Sequence, residues 1–172
     1  HETKLDIPQI LARLPLFQEL APDQIANLEP ACRERRLSKS EMLFQKGDLL
    51  KGFYVVVFGQ IKLAFPSSQG NEKVMQIIGP RQTFGEAIMF LGRPCPIFAE
   101  GLVDSLLLHI GSAHVFELLE TDPMFARRML AGLSMRLHSL VQDVETYSLR
   151  SSAQRVIGFL LQHCGRESQN VA

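Results

Sequence analysis

Apolar residues change their period along this chain, and each change predicts a change of element. Leu5, Ile7, Ile10, Leu11 and Leu14 recur at helical spacing and stop at Pro15, which predicts a short helix over residues 5–15. A second helix of about ten residues is predicted from Pro22. Proline has no amide to orphan there, and Asp23 suits the positive helix end. From Arg33 the period shortens. Residues 35–38 and 42–45 are short strand candidates, and Lys46-Gly47-Asp48 is a turn. Residues 52–58, GFYVVVF, are rich in aromatic and β-branched side chains and predict a buried strand. Residues 61–65 and 73–78 alternate around a polar hairpin loop, until Gly79-Pro80 stops the pattern. After an interruption at residues 83–93, two strands at 97–100 and 105–110 complete the series. The helical period then returns, with Ser112 as the expected cap of a helix over 113–120 and Asp122-Pro123 opening a longer one. In that longer helix Ala126, Leu130, Leu133, Leu137, Leu140, Val144 and Tyr147 fall at alternating spacings of four and three. Arg127, Arg128, Arg136, Gln142, Asp143 and Glu145 lie mostly off this narrow seam. Its simplest partner is a second copy of itself; the alternative is packing on its own domain. A last helix over 151–165 carries Val156, Ile157, Leu160 and Leu161 on one face and stops at Gly165.

Short strands at even intervals, punctuated by glycine and flanked by helices, predict a mainly β fold with flanking α. The architecture expected is an antiparallel double-stranded β-helix, or jelly roll, followed by a long dimerisation helix. The 172 residues carry 18 basic and 18 acidic side chains, so the balance marks no nucleic-acid surface on this chain. Cys32, Cys95 and Cys164 are far apart and odd in number, without a CxxC pair. A disulfide framework is not expected, and a reducing cytoplasm fits. No apolar run reaches the roughly 18 residues of a membrane span. GxSxG, HExxH and Walker patterns are absent, so no enzyme is expected.

The interruption, Phe84-Gly85-Glu86-Ala87-Ile88-Met89-Phe90-Leu91-Gly92-Arg93-Pro94-Cys95-Pro96, predicts a short inserted helix whose first amides offer a ligand perch. It follows F-x-x-G-D at Phe44 to Asp48 and V-x-x-G-x-I at Val56 to Ile61. In this order the motifs resemble the cyclic-nucleotide-binding β-roll, and with the long helix the chain resembles a regulator of the Crp/Fnr superfamily over residues 5–165. The resemblance implies an effector-sensing roll with its N-terminal helices at 1–120 and a coiled-coil dimerisation helix at 121–150. Residues 151–172 would begin a C-terminal helix-turn-helix domain, so that DNA binding belongs to a longer chain. It also implies that pocket occupancy shifts the packing of the inserted segment on the long helix.

A cyclic-nucleotide pocket of this family pairs a glutamate for the ribose hydroxyl with Arg-Ser or Arg-Thr for the phosphate. Glu86 matches the first, but the second falls on Cys95-Pro96, where a thiol and an imide ring supply no guanidinium fork. Arg93, two residues away, would have to be recruited. An iron–sulfur cluster needs closely spaced cysteines, and only Cys32 lies near the N-terminus. Residues 84–90 and 145–149 resemble most the Dnr branch, which implies bound haem, nitric oxide as effector and control of denitrification genes. The candidate pocket is Phe84, Gly85, Glu86, Ile88, Met89, Arg93 and Cys95, and the candidate haem ligands are Cys95, His109 and His138. Each has a plainer reading: Cys95 as a small apolar residue, His109 as a core or rim histidine, Glu86 as a cap on the first helical turn, Ile88 and Met89 as packing. His114 is expected to face solvent, and His163 beside Cys164 to be structural. Three functions therefore stand open: haem-mediated sensing of nitric oxide, cyclic-nucleotide binding rescued by Arg93, and a roll that only dimerises.

Overall fold

The computed structural model describes residues 4–149 together with Gln154, Val156, Ile157 and Leu160, side chains at 146–149 excepted. Helix α1 (Ile7–Ala12) is capped by the Asp6 carboxylate, which accepts from Gln9 N–H at 3.1 Å. It leads through a 3₁₀ turn at Pro15–Phe17 to α2 (Pro22–Leu28), with proline at its first position as expected. Eight strands follow: β1 (Cys32–Leu37), β2 (Met42–Phe44), β3 (Gly52–Phe58), β4 (Ile61–Pro66), β5 (Glu72–Ile78), β6 (Thr83–Phe84), β7 (Phe98–Gly101) and β8 (Ser105–Gly111). They form two antiparallel four-stranded sheets, ordered β1-β8-β3-β6 and β2-β7-β4-β5. Helix α3 (Glu86–Leu91) is the predicted insertion, and α4 (Ser112–Thr121) and α5 (Pro123–Leu149) end the described elements.

Two motifs owe their form to backbone conformation. Gly47 sits at φ +95°, and the Asp48 carboxylate closes the same turn by accepting from Gln45 N–H at 2.9 Å. Gly59 sits at φ +97° between β3 and β4, where any Cβ would collide with the Ser105 side chain.

The first sheet is apolar on both faces. Phe53, Val55, Leu108 and Ile110 pack outward with Leu11, Phe17 and Leu28 of the N-terminal segment, whereas Val56 and Leu107 face the roll interior with Phe44, Phe84 and Ile97. That is why β3 and β8 read as nearly continuous apolar runs. Strand β1 begins earlier than the pattern predicts, since Cys32 already pairs with Ile110; its run Arg33-Glu34-Arg35-Arg36 is exposed and hides the strand. Two further expectations shift. Gly111, not Ser112, occupies the cap position of α4. Residues 83–84, expected to interrupt the roll, form β6 against Val55 and Tyr54.

Two compact units divide the chain, His1–Gly132 and Leu133–Ala172. Within the first, Asp122 caps α5 by accepting from Met124 and Phe125 N–H at 3.1 Å. Phe125 and Met129 enter the apolar cluster of the N-terminal helices. Gly132 lies on the 3₁₀ turn, where a Cβ would come within 2.9 Å of Pro15 O and 3.0 Å of Leu16 O. The predicted seam is offset from this face by one residue: Ala126 is half-buried and Leu130 exposed. In the second unit Leu133, Leu137, Leu140 and Val144 are exposed. The Tyr147 side chain, and His163, Cys164 and Gly165 of the predicted last helix, lie outside the described residues. Among the described residues no helix is long and apolar enough to cross a membrane.

Candidate functional site

Strand β6 ends at Gly85, whose φ of +89° turns the chain sharply into α3; a Cβ there would stand 3.1 Å from Leu50 Cδ1. The turn puts Glu86 at the first helical position, facing a groove of about 300 Å³. Leu63 and Phe65 of β4, Met75 and Gln76 of β5, Thr83 to Ile88, Pro96 and Ile97 line it. Thr83 Oγ1 donates to Glu86 Oε1 at 3.2 Å, while Glu86 Oε2 is buried without a hydrogen-bond partner among the described residues. Among the described residues no guanidinium or ammonium group lines this groove. An unpaired buried carboxylate oxygen in apolar surroundings favours a ligand that donates a hydrogen bond and opposes one that brings a second anion.

Of the predicted pocket residues, Phe84, Gly85, Glu86 and Ile88 meet in this groove, and Met89, Arg93 and Cys95 do not line it. Met89 follows Ile88 by about 100° of helical turn. It is buried instead among the N-terminal helices. Arg93 is exposed beyond the left-handed Gly92 that ends α3. Cys95 is pinned by its backbone, its N–H donating to Asp48 O and its O accepting from Gly47 N–H, both at 2.8 Å. Its side chain is buried in the roll core, and burial pushes the thiol pKa up, away from the thiolate a metal needs.

His109 lines a different cavity of about 340 Å³, with Leu43, Phe44, Asp48, Leu49, Leu50, Lys51 and Tyr54. It faces Tyr54 across the β3–β8 pair, and Gly52 leaves the space its ring occupies, since a Cβ there would collide with it. Ring centroids stand 5.0 Å apart for the tilted pair His109–Tyr54 and 5.3 Å for the stacked pair Tyr54–Phe84, so a run of ring contacts joins this cavity to the groove. Burial holds the His109 pKa below 6.5, which keeps the imidazole neutral near pH 7. His138 is exposed on α5 in the second unit. His114 is half-buried, not solvent-facing as expected: its ring bonds to Asn27 O and ties α4 to the end of α2. Among the described residues no three His, Cys, Asp or Glu side chains cluster to hold a metal ion.

The sequence pattern missed Leu63, Phe65, Met75, Gln76 and Thr83 as groove walls. The β4–β5 register slips between Leu63 and Ala64, leaving Met75 as the extra residue, so the adjacent Met75 and Gln76 both reach the groove. Strict alternation would put only one of them there.

Residues 34–122 match the family described as "Cyclic nucleotide-binding domain". Over 148 residues the chain is 28% identical to the Cyclic AMP receptor protein of Thermus thermophilus, covering 86% of this chain and 68% of that protein. The crystal structure of DNR from Pseudomonas aeruginosa superposes with a TM-score of 0.76 at 30% identity, covering 94% of this chain and 72% of the other. A putative cyclic nucleotide binding protein from Ruegeria pomeroyi superposes with a TM-score of 0.75 at 29% identity, over 92% of this chain and 70% of that one.

Proposed function

This chain belongs to the cyclic nucleotide-binding domain family, and from that premise we propose that it is the effector-sensing part of a Crp/Fnr-type transcription regulator whose effector is not held through a phosphate. The observation that carries this reading is the groove at Glu86: it keeps the carboxylate and, among the described residues, has no cation on its walls. A cyclic phosphate buried there would lie unpaired beside an unpaired carboxylate. Thermal melts with cyclic AMP in large excess over any physiological level test it. No rise in the midpoint is expected, and a saturable rise of several degrees that Glu86→Gln or Arg93→Gln removes would overturn it.

The resemblance to the Dnr branch supports nitric oxide as the effector, sensed through haem. Among the described residues the donor set fits haem best at His109. The His109 imidazole, its pKa lowered by burial, lines a cavity and has no hydrogen-bond partner among the described residues, and Lys51 beside it suits an acidic ligand. Cys95 is enclosed in the core. When bound, the haem iron would supply the centre that takes nitric oxide; His109 would hold it and the Tyr54–Phe84 stack would join that cavity to the groove. In a haemin titration, Soret saturation at one haem per chain is expected for the wild type and for Cys95→Ala, and is lost in His109→Ala. Saturation unchanged by His109→Ala removes His109 as ligand, and no saturation in the wild type removes haem.

Two copies are proposed to pair through Leu133, Leu137, Leu140 and Val144, which are 41% to 66% exposed in the single chain. In regulators of this type DNA binding lies beyond the long helix, and the same division is proposed here.

A further inference from the structure

We propose that a separate cavity between α1 and β3 binds a small organic anion with a compact apolar body, a carboxylate on a single ring or branched chain. This inference is independent of the effector reading. The cavity measures about 150 Å³ and is lined by Gln9, Ile10, Arg13 and Leu14 on one side, by Val55, Val56 and Val57 of β3, and by Arg81. Leu14 and Val55 are fully buried, and Ile10 and Val57 pack against the same cluster, so the floor is aliphatic. The rim is different. Arg13 stands at the end of α1 and Arg81 in the turn before β6, and neither guanidinium has a hydrogen-bond or ion-pair partner among the described residues.

Arg81 is placed there against its own backbone preference. Its φ is +69°, a conformation that side chains other than glycine seldom adopt. The turn holds it: Arg81 N–H donates to Val56 O at 2.9 Å, Val56 N–H donates to Gln82 O at 3.0 Å, and the Gln82 side chain accepts from Gly79 N–H at 2.7 Å. Two of these bonds fasten the turn to β3 and the third closes it internally, which keeps Arg81 at the mouth of the cavity.

Chemistry and size both narrow the ligand. Guanidinium is charged at every physiological pH and presents donors only, so two at one rim recruit an anionic acceptor, and the Gln9 amide adds a third donor. An apolar cavity of about 150 Å³ holds a molecule of benzene's size. The groove at Glu86 has the opposite character, a free acceptor and, among the described residues, no cation. One ligand does not suit both.

Benzoate is the probe, with benzyl alcohol as its neutral isostere and acetate as the anion without a body. In ¹⁵N-labelled protein, benzoate is expected to shift the amides of Ile10, Val57 and Arg81 saturably while leaving Glu86 and Ala87 unmoved. Arg13→Gln or Arg81→Gln should each weaken it about tenfold, the usual worth of one charge-assisted bond. Val57→Phe, which fills the floor, should abolish it. Both arginines are exposed, so those variants are expected to keep the wild-type melting midpoint. Three results overturn the proposal: no saturable shift with millimolar benzoate, equal binding of benzyl alcohol, or undiminished benzoate binding in the Arg13→Gln/Arg81→Gln double variant.

Discussion

The opening turns of α5 and its later turns carry apolar residues at the same alternation of four and three, yet they meet different surroundings. Up to Gly132, Phe125 and Met129 are 0% and 3% exposed, and a Cβ at Gly132 would press on the carbonyls of Pro15 and Leu16. Beyond it, Leu137 and Val144 are 64% and 66% exposed. Fully burying one such side chain stabilises by about 1.5–3 kcal/mol. The opening turns already draw that energy from their own domain; the later turns would draw it from the proposed second copy. A heptad period therefore identifies a stripe and says nothing about which surface covers it. In this helix two stripes run side by side, offset by one residue, and among the described residues only one is buried.

The comparison breaks most sharply at Phe125. Phe125→Ala leaves a cavity in the cluster shared with the N-terminal helices and is expected to cost about 3–5 kcal/mol in urea unfolding. The same truncation at Leu137 should leave the unfolding of the first unit unchanged. Next in size, Leu137→Asp should keep the fold and weaken self-association more than a hundredfold in sedimentation equilibrium, because about 3 kcal/mol or more is lost when an unpaired carboxylate is buried. A wild type that stays monomeric at micromolar concentration ends the two-copy reading of the later turns. Gly132→Ala comes third: its methyl would press on two backbone carbonyls at 2.9 and 3.0 Å. The expected cost is about 1–3 kcal/mol, read as a lowered melting midpoint.

The smallest effect tests whether the two stretches are independent. Burial places the His109 pKa below its ordinary 6.5, so as pH falls the unfolded chain takes the proton first. Stability of the first unit is then full above about pH 7 and declines as the pH drops through 6.5 toward the folded pKa. Urea midpoints across that range should show this decline flattened in His109→Gln and untouched in Leu137→Asp. A decline that Leu137→Asp abolishes would mean that the titrating group belongs to the helix.

Much of the roll was legible because its strands carry local signals. The aromatic and β-branched run of β3, the alternation of β4, and the glycines that close turns at Gly47 and Gly59 are properties of neighbours in the chain. Strand β1 was harder, since four exposed charged residues mask a strand whose partner, β8, lies far along the chain, a non-local pairing that a short window misses. The groove was half legible. Phe84, Gly85, Glu86 and Ile88 come together as the motif order implied. Met89 and Cys95, their neighbours in sequence, went to two different cores, because helical rotation and a pinned loop backbone decide direction residue by residue. Nothing local distinguishes His109 from any histidine at the end of an apolar strand; its seat depends on Gly52 in another strand.

Period and turn chemistry are statements about residue type and spacing, and the sequence determines those alone. Which of two apolar stripes on α5 meets a core, which neighbour of Gln76 bulges into the groove, and which two arginines share a rim at Arg13 and Arg81 depend on surfaces brought together from distant segments. Burial is a property of pairs of surfaces, and the second surface is supplied by the fold.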